Sequence, residues 1–141
     1  MFAQTIHSLG RRATSTFALM AAIAVLGVAG GSAQAGEIKQ SDLAAYQQAV
    51  AAKKSIIMHI HASWCPVCAK QDPILQQLMQ EPEFKDVVVF KIDFDQNKDL
   101  VNMLEVKYQS TLIAAKGRVE VGRVAGISDK DQVREFIRKS L

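Results

Sequence analysis

The sequence predicts an α/β fold, a central mixed β-sheet flanked by helices on both faces, and three observations lead there. Segments of helical and strand periodicity alternate from about residue 41 to the end of the 141-residue chain. The last two strand-like segments are joined by Lys116-Gly117-Arg118, a tight-turn signal. The only two cysteines, Cys65 and Cys68, stand where an apolar strand pattern gives way to a helical one. Strand, helix and strand in succession call for crossovers and parallel pairs, and a hairpin adds an antiparallel pair.

Each element has its own grounds. Ser41-Asp42-Leu43 starts a helix carrying Leu43, Tyr46, Gln47 and Val50 at helical spacing up to Lys53-Lys54. Residues 55–62 hold Ile56, Ile57, Met58 and Ile60, a short apolar run suited to a strand buried on both faces. Residues 66–80 return to helical spacing through Ile74, Leu75, Leu78 and Met79, with Pro73 expected to bend the helix. Residues 87–94, rich in β-branched and aromatic side chains, form the clearest strand. Leu100, Val101 and Leu104 mark a helix over 97–107, residues 111–115 and 119–124 form the hairpin, and residues 129–141 close the chain as a helix capped by Ser128, with Val133, Phe136 and Ile137 inward.

The first 35 residues read as a secretory signal peptide. Arg11 and Arg12 precede an apolar stretch from Phe17 to Gly30, and Ala33-Gln34-Ala35 supplies a small-residue cleavage site. The stretch is shorter than the roughly 17–25 residues of a spanning helix. Cleavage after Ala35 leaves one domain over residues 36–141 and implies a periplasmic or otherwise exported protein. Arg11-Arg12 also fits a twin-arginine signal, although Ala13 and Thr14 lack the apolar character expected after it. Of the 17 basic residues two go with this segment, leaving the domain nearly balanced against 14 acidic ones. That removes the main support for nucleic-acid binding.

Two cysteines three apart at a helix start can close a disulfide within one turn, and the unpaired N–H groups there favour a thiolate. In Cys-X-X-Cys motifs the thiol pKa typically falls from about 8.5 to roughly 3.5–7.5. Cys65 is therefore the expected nucleophile, and Cys68 the thiol that resolves a mixed disulfide. Pro66 suits the first helical turn, where its missing N–H costs nothing. A disulfide closing so small a loop stabilises little, which argues that it is kept for chemistry.

Ala62-Ser63-Trp64-Cys65-Pro66-Val67-Cys68, with its preceding strand, Pro73 five residues later, Gln109-Ser110-Thr111-Leu112-Ile113, Gly117 and Gly126 together resemble the thioredoxin-like family over the whole mature chain. The resemblance implies a thioredoxin-like fold and an oxidoreductase that exchanges a Cys65–Cys68 disulfide with protein disulfides or dithiols. It needs no cofactor and no metal. Substrate contact is expected around Cys65 from Trp64, Pro66, Val67, Ser110 and Thr111, with Phe94 completing an apolar rim. The uncharged Pro66-Val67 dipeptide favours a reductant, which in an oxidising compartment must be recharged, as the resemblance implies, by a membrane electron carrier. The protein is expected to be monomeric.

Two positions depart from the family pattern. Ser110 stands where a cis-proline is usual; a cis bond before a non-proline residue costs about 2.5–4 kcal/mol, so trans and cis both stay open. Ser110 is either a tolerated loop residue or a change in substrate pairing and metal exclusion, its hydroxyl able to donate to a thiolate. His59 stands where the family buries an aspartate that assists proton transfer to the second cysteine. It is either a general base or a hydrogen-bonded core residue. His61 shares its strand face.

Two other functions remain open on the same residues: a zinc or copper module built from Cys65, Cys68, His59 and His61, and a redox-inert binding domain with a permanent disulfide. Lys70 is a possible partner for a thiolate. Asp93, Asp95 and Asp99 lack the glycine of a calcium loop and read as a solvated face with helix N-terminal charge.

Overall fold

The structure, a computed structural model, describes residues 35–141. The expected signal segment therefore lies outside the described residues, Ala35 excepted. Five strands form one sheet: β1 Glu37–Gln40, β2 Ser55–His61, β3 Val87–Asp93, β4 Thr111–Lys116 and β5 Val119–Ala125, in spatial order β1-β3-β2-β4-β5. β1 and β2 flank β3 in parallel, while β4 runs antiparallel to β2 and β5. The mixed sheet is as expected. Its first strand was not anticipated: β1 has four residues with a single strongly apolar side chain, Ile38, and pairs at the sheet edge, where little hydrophobic pattern is required.

Four α-helices cover the sheet: α1 Leu43–Ala51, α2 Pro66–Leu78, α3 Lys98–Met103 and α4 Lys130–Arg138, with a 3₁₀ turn at Pro82–Phe84. Asp42 caps α1 by accepting from the N–H groups of Ala44 and Ala45. The cap of α4 is Asp129, which accepts from Asp131 and Gln132, and not the expected Ser128. α3 stops at Met103, short of the expected 107, because Glu105 takes a left-handed backbone with φ of 54°. α2 runs through Pro73.

β2 is central, and its apolar side chains alternate between two dry layers. Ile57 packs with Leu75, Leu78, Met79, Phe84, Val89, Leu112, Val133, Phe136 and Ile137 on the α2/α4 side. Ile56, Met58 and Ile60 pack with Val88, Phe90, Ile92, Val101 and Ile113 on the α1/α3 side. Coverage of both faces explains why β2 reads as a nearly continuous apolar run. Gly117 turns the hairpin at φ +59°, where a side chain would be strained.

Candidate active site

The C-terminal end of β2 delivers the chain to α2, and the helix begins on the cysteines. Cys65 is the N-cap of α2: its backbone is extended, and its Sγ accepts the N–H of Cys68 at 3.1 Å. Pro66 occupies the first turn without leaving a donor unpaired. The two sulfurs are joined in a disulfide with Cα atoms 5.2 Å apart, and only 3% of Cys65 and 2% of Cys68 is exposed. The donor that meets Cys65 Sγ is one of the orphan N–H groups of a helix start, so charge developing on this sulfur meets a fixed hydrogen bond and the positive end of the helix. Ala62, Val67 and Phe94 pack around the pair.

Trp64 stands beside it, 59% exposed, with Nε1 donating to Asp95 Oδ2 at 2.7 Å. Asp93 Oδ1 accepts from the N–H groups of Asp95 and Gln96, 2.9 Å each, so two of the three aspartates build and use a turn, while Asp99 lies in the first turn of α3. Lys70 is exposed, and its side chain has no ion-pair partner among the described residues.

The peptide bond before Ser110 is trans, and Ser110 instead takes φ of 58°. Its hydroxyl donates to Gln109 O at 2.5 Å and not to a sulfur. Its carbonyl accepts twice, from Gly126 N and from Gln71 Nε2, 3.1 Å each. Thr111 Oγ1 donates to Tyr108 O at 2.6 Å, and both Ser110 and Thr111 are buried.

His59 is wholly buried, and its Nε2 lies 3.0 Å from Gln71 Oε1. Its Nδ1 faces Asp72 Oδ1 at 3.6 Å, a carboxylate held by Lys91 Nζ at 3.0 Å. Burial pushes the imidazole pKa down to about 4, against the opposing pull of Asp72 and of the Gln71 hydrogen bond, so His59 is neutral at pH 7. His61, half-buried, stands 5.7 Å from it between ring centres, and burial lowers its pKa too, with Lys91 adding to the effect.

This geometry does not assemble the Cys₂His₂ metal module. Among the described residues no group of three or more His, Cys, Asp or Glu side chains is placed to hold a metal ion, both sulfurs are spent on each other, and Nε2 of His59 is spent on Gln71. Gln71, Asp72 and Lys91 were missed by sequence reasoning. The signal available was a polar residue, Gln71, three positions after Cys68 on the helix face that must be buried.

The Thioredoxin family model matches residues 37–139. Thioredoxin of Echinococcus granulosus is 31% identical over 101 residues, spanning 72% of this chain and 92% of that protein. Mitochondrial thioredoxin of Mus musculus is 33% identical over 84 residues, which is 60% of this chain and 50% of the relative. The chain thus spans about half the length of such mitochondrial relatives. Among solved structures, Trxlp from Edwardsiella tarda EIB202 superposes with a TM-score of 0.68 at 33% identity, covering 71% of this chain and 97% of that one. Thioredoxin of Malassezia sympodialis, at 18% identity and a TM-score of 0.64 over 73% of this chain and 92% of that one, shares the fold.

Proposed function

The chain belongs to the thioredoxin family, and on that premise we propose that it is an exported thiol–disulfide oxidoreductase that reduces protein disulfides. The observation that carries this reading is Cys65 at the N-cap of α2, its sulfur already accepting a helix N–H and within disulfide reach of Cys68. In the reduced protein the Cys65 thiolate attacks one sulfur of a substrate disulfide, forming a mixed disulfide and releasing a substrate thiolate. Cys68, deprotonated, then attacks Cys65 Sγ; the Cys65–Cys68 disulfide forms and the second substrate thiol leaves. Two electrons pass to substrate, and an external dithiol donor, a membrane electron carrier for an exported protein, restores the pair.

The reductant direction rests on Pro66-Val67, which places no charged side chain between the cysteines to over-stabilise the thiolate. Export rests on the order of Arg11-Arg12, the apolar stretch and Ala33-Gln34-Ala35. Cys65 is almost wholly buried, so attack on it must come past its exposed neighbours Trp64 and Pro66.

Cys68→Ser tests the mechanism: the variant is expected to accumulate a mixed disulfide on Cys65 with a disulfide-containing peptide, visible as added mass that dithiothreitol removes. A Cys68→Ser protein that forms no adduct would return the domain to a redox-inert binding role. A redox titration followed by Trp64 fluorescence fixes direction, a midpoint near about −270 mV supporting a reductant and one near about −120 to −180 mV an oxidase or isomerase.

A further inference from the structure

Gln71 has no exposed surface, and its amide is engaged by three segments of the fold. Oε1 lies 3.0 Å from His59 Nε2 on β2, while Nε2 donates to Ser110 O at 3.1 Å, before β4, and to Ile127 O at 2.8 Å, after β5. Two backbone carbonyls accept only from an N–H, so the NH₂ end of the amide must face them. Oε1 is thereby turned to His59, and the hydrogen of the neutral imidazole must sit on Nε2. Nδ1 is left bare. It is a buried side-chain polar atom without a hydrogen-bond partner among the described residues, because Asp72 Oδ1 presents a lone pair to a lone pair. The charged and titratable groups around the ring are Asp72 from α2, Lys91 from β3 and His61 from β2. Cys68 lies one turn before Gln71 on the same buried helix face.

We propose that Gln71 is the positioning residue of the redox site: one amide holds the Ser110 carbonyl inward beside the disulfide-bearing helix and fixes His59 as the Nε2–H tautomer, leaving Nδ1 without a hydrogen. The kinetic part rests on the thiol–disulfide reading; the tautomer part does not. The loop before β4 and the buried imidazole are therefore set by the same side chain, and a change at either is felt by the other.

Long-range ¹H–¹⁵N correlation spectra of the ¹⁵N-labelled full chain at pH 7.5 test this without any substitution. The result expected is a single His59 tautomer with hydrogen on Nε2. A hydrogen on Nδ1, or fast averaging of both forms, overturns the proposal even if no variant folds. In Gln71→Met, which keeps the length and loses the polar end, the hydrogen is expected to move to Nδ1 and donate to Asp72. KM for a disulfide-containing peptide should rise about fivefold to tenfold, the scale of one buried hydrogen bond, with kcat much less affected. Gln71→Glu, which still accepts from His59 but opposes the two carbonyls, should keep the tautomer and share the raised KM. A folded Gln71→Met protein with the original tautomer and the original KM refutes the assignment. A wild-type protein that reduces no disulfide yet shows the Nε2–H form overturns the activity reading and retains this one.

Discussion

The α2/α4 face of the sheet has two ends that obey different rules. At the end where β2 and β3 begin, Ile57, Val87, Val89, Leu78 and Phe84 form a dry layer, each with essentially no exposed surface. One step along β2 on the same face, the row changes to His59 and then His61, opposed by Lys91 and Asp93 on β3 and by Gln71 and Asp72 on α2. The first end is stabilised by area removed from water, and any side chain of similar shape would serve. The second is polar: His59 and Gln71 are fully buried and costly unless paired, the charged groups around them are part-exposed, and Gln71 lies one turn along α2 from Cys68. Stability and chemistry are thus separated along a single strand.

The largest effect expected from breaking this division is at the dry end. Phe84→Ala should cost about 3–5 kcal/mol of unfolding free energy, since Phe84 is fully buried in the α2/α4 layer and a large cavity would remain. Urea unfolding followed by circular dichroism measures the loss. The midpoint potential of the Cys65–Cys68 pair should stay where it is, because none of the site's hydrogen bonds involves Phe84. A shifted potential would show that the two ends are coupled.

The polar end should instead respond to pH. The folded-state pKa of His59, about 4, lies below its ordinary value of 6.5, so between these values the unfolded chain binds more protons than the native one. Stability attributable to this group is intact above about pH 6.5 and declines as the pH falls toward 4, by a total on the order of 3 kcal/mol. His59→Leu should abolish that decline while lowering stability at pH 7.5, because Gln71 Oε1 loses its donor. Urea midpoints of both proteins between pH 7.5 and 4 check it. Equal slopes for the two would move the acid sensitivity to another group.

The same division governs what the amino-acid sequence alone makes legible. Ile56 to Ile60, Val87 to Ile92 and the spacing of Val133, Phe136 and Ile137 are hydrophobic patterns, and such patterns carry the period of the element that buries them, so the strands and the last helix were legible. β1 was not, because an edge strand of four residues is held by backbone bonds to β3 that any side chain permits. The cysteines were legible because their chemistry requires a fixed local spacing. Gln71, Asp72 and Lys91 were not: the contacts of Gln71 with His59, Ser110 and Ile127 are twelve, 39 and 56 positions apart, and no local rule encodes them. Ser110 marked a departure whose local backbone, left-handed and trans, follows from the bonds its carbonyl makes to Gly126 and Gln71.

That departure supports the finest prediction. A non-glycine residue in the left-handed region costs roughly 1–2 kcal/mol, and here the two donors to the Ser110 carbonyl hold it there. Ser110→Gly removes the penalty but loses more chain entropy on folding, about 0.5–1 kcal/mol, together with the hydroxyl bond to Gln109 O. The net gain should therefore be less than about 1 kcal/mol, read as a small rise in urea midpoint with the redox potential unchanged. Ser110→Pro has the opposite sign and a larger size, because the ring fixes φ near −65° and cannot adopt 58°. Proline can enter only if the segment rebuilds and the carbonyl leaves Gln71, in which case Ile127 O alone is left to orient the amide and the His59 tautomer should be less firmly fixed. A proline variant as stable as the wild type, with the His59 hydrogen still on Nε2, would show that the left-handed turn is not what holds the loop to the polar end.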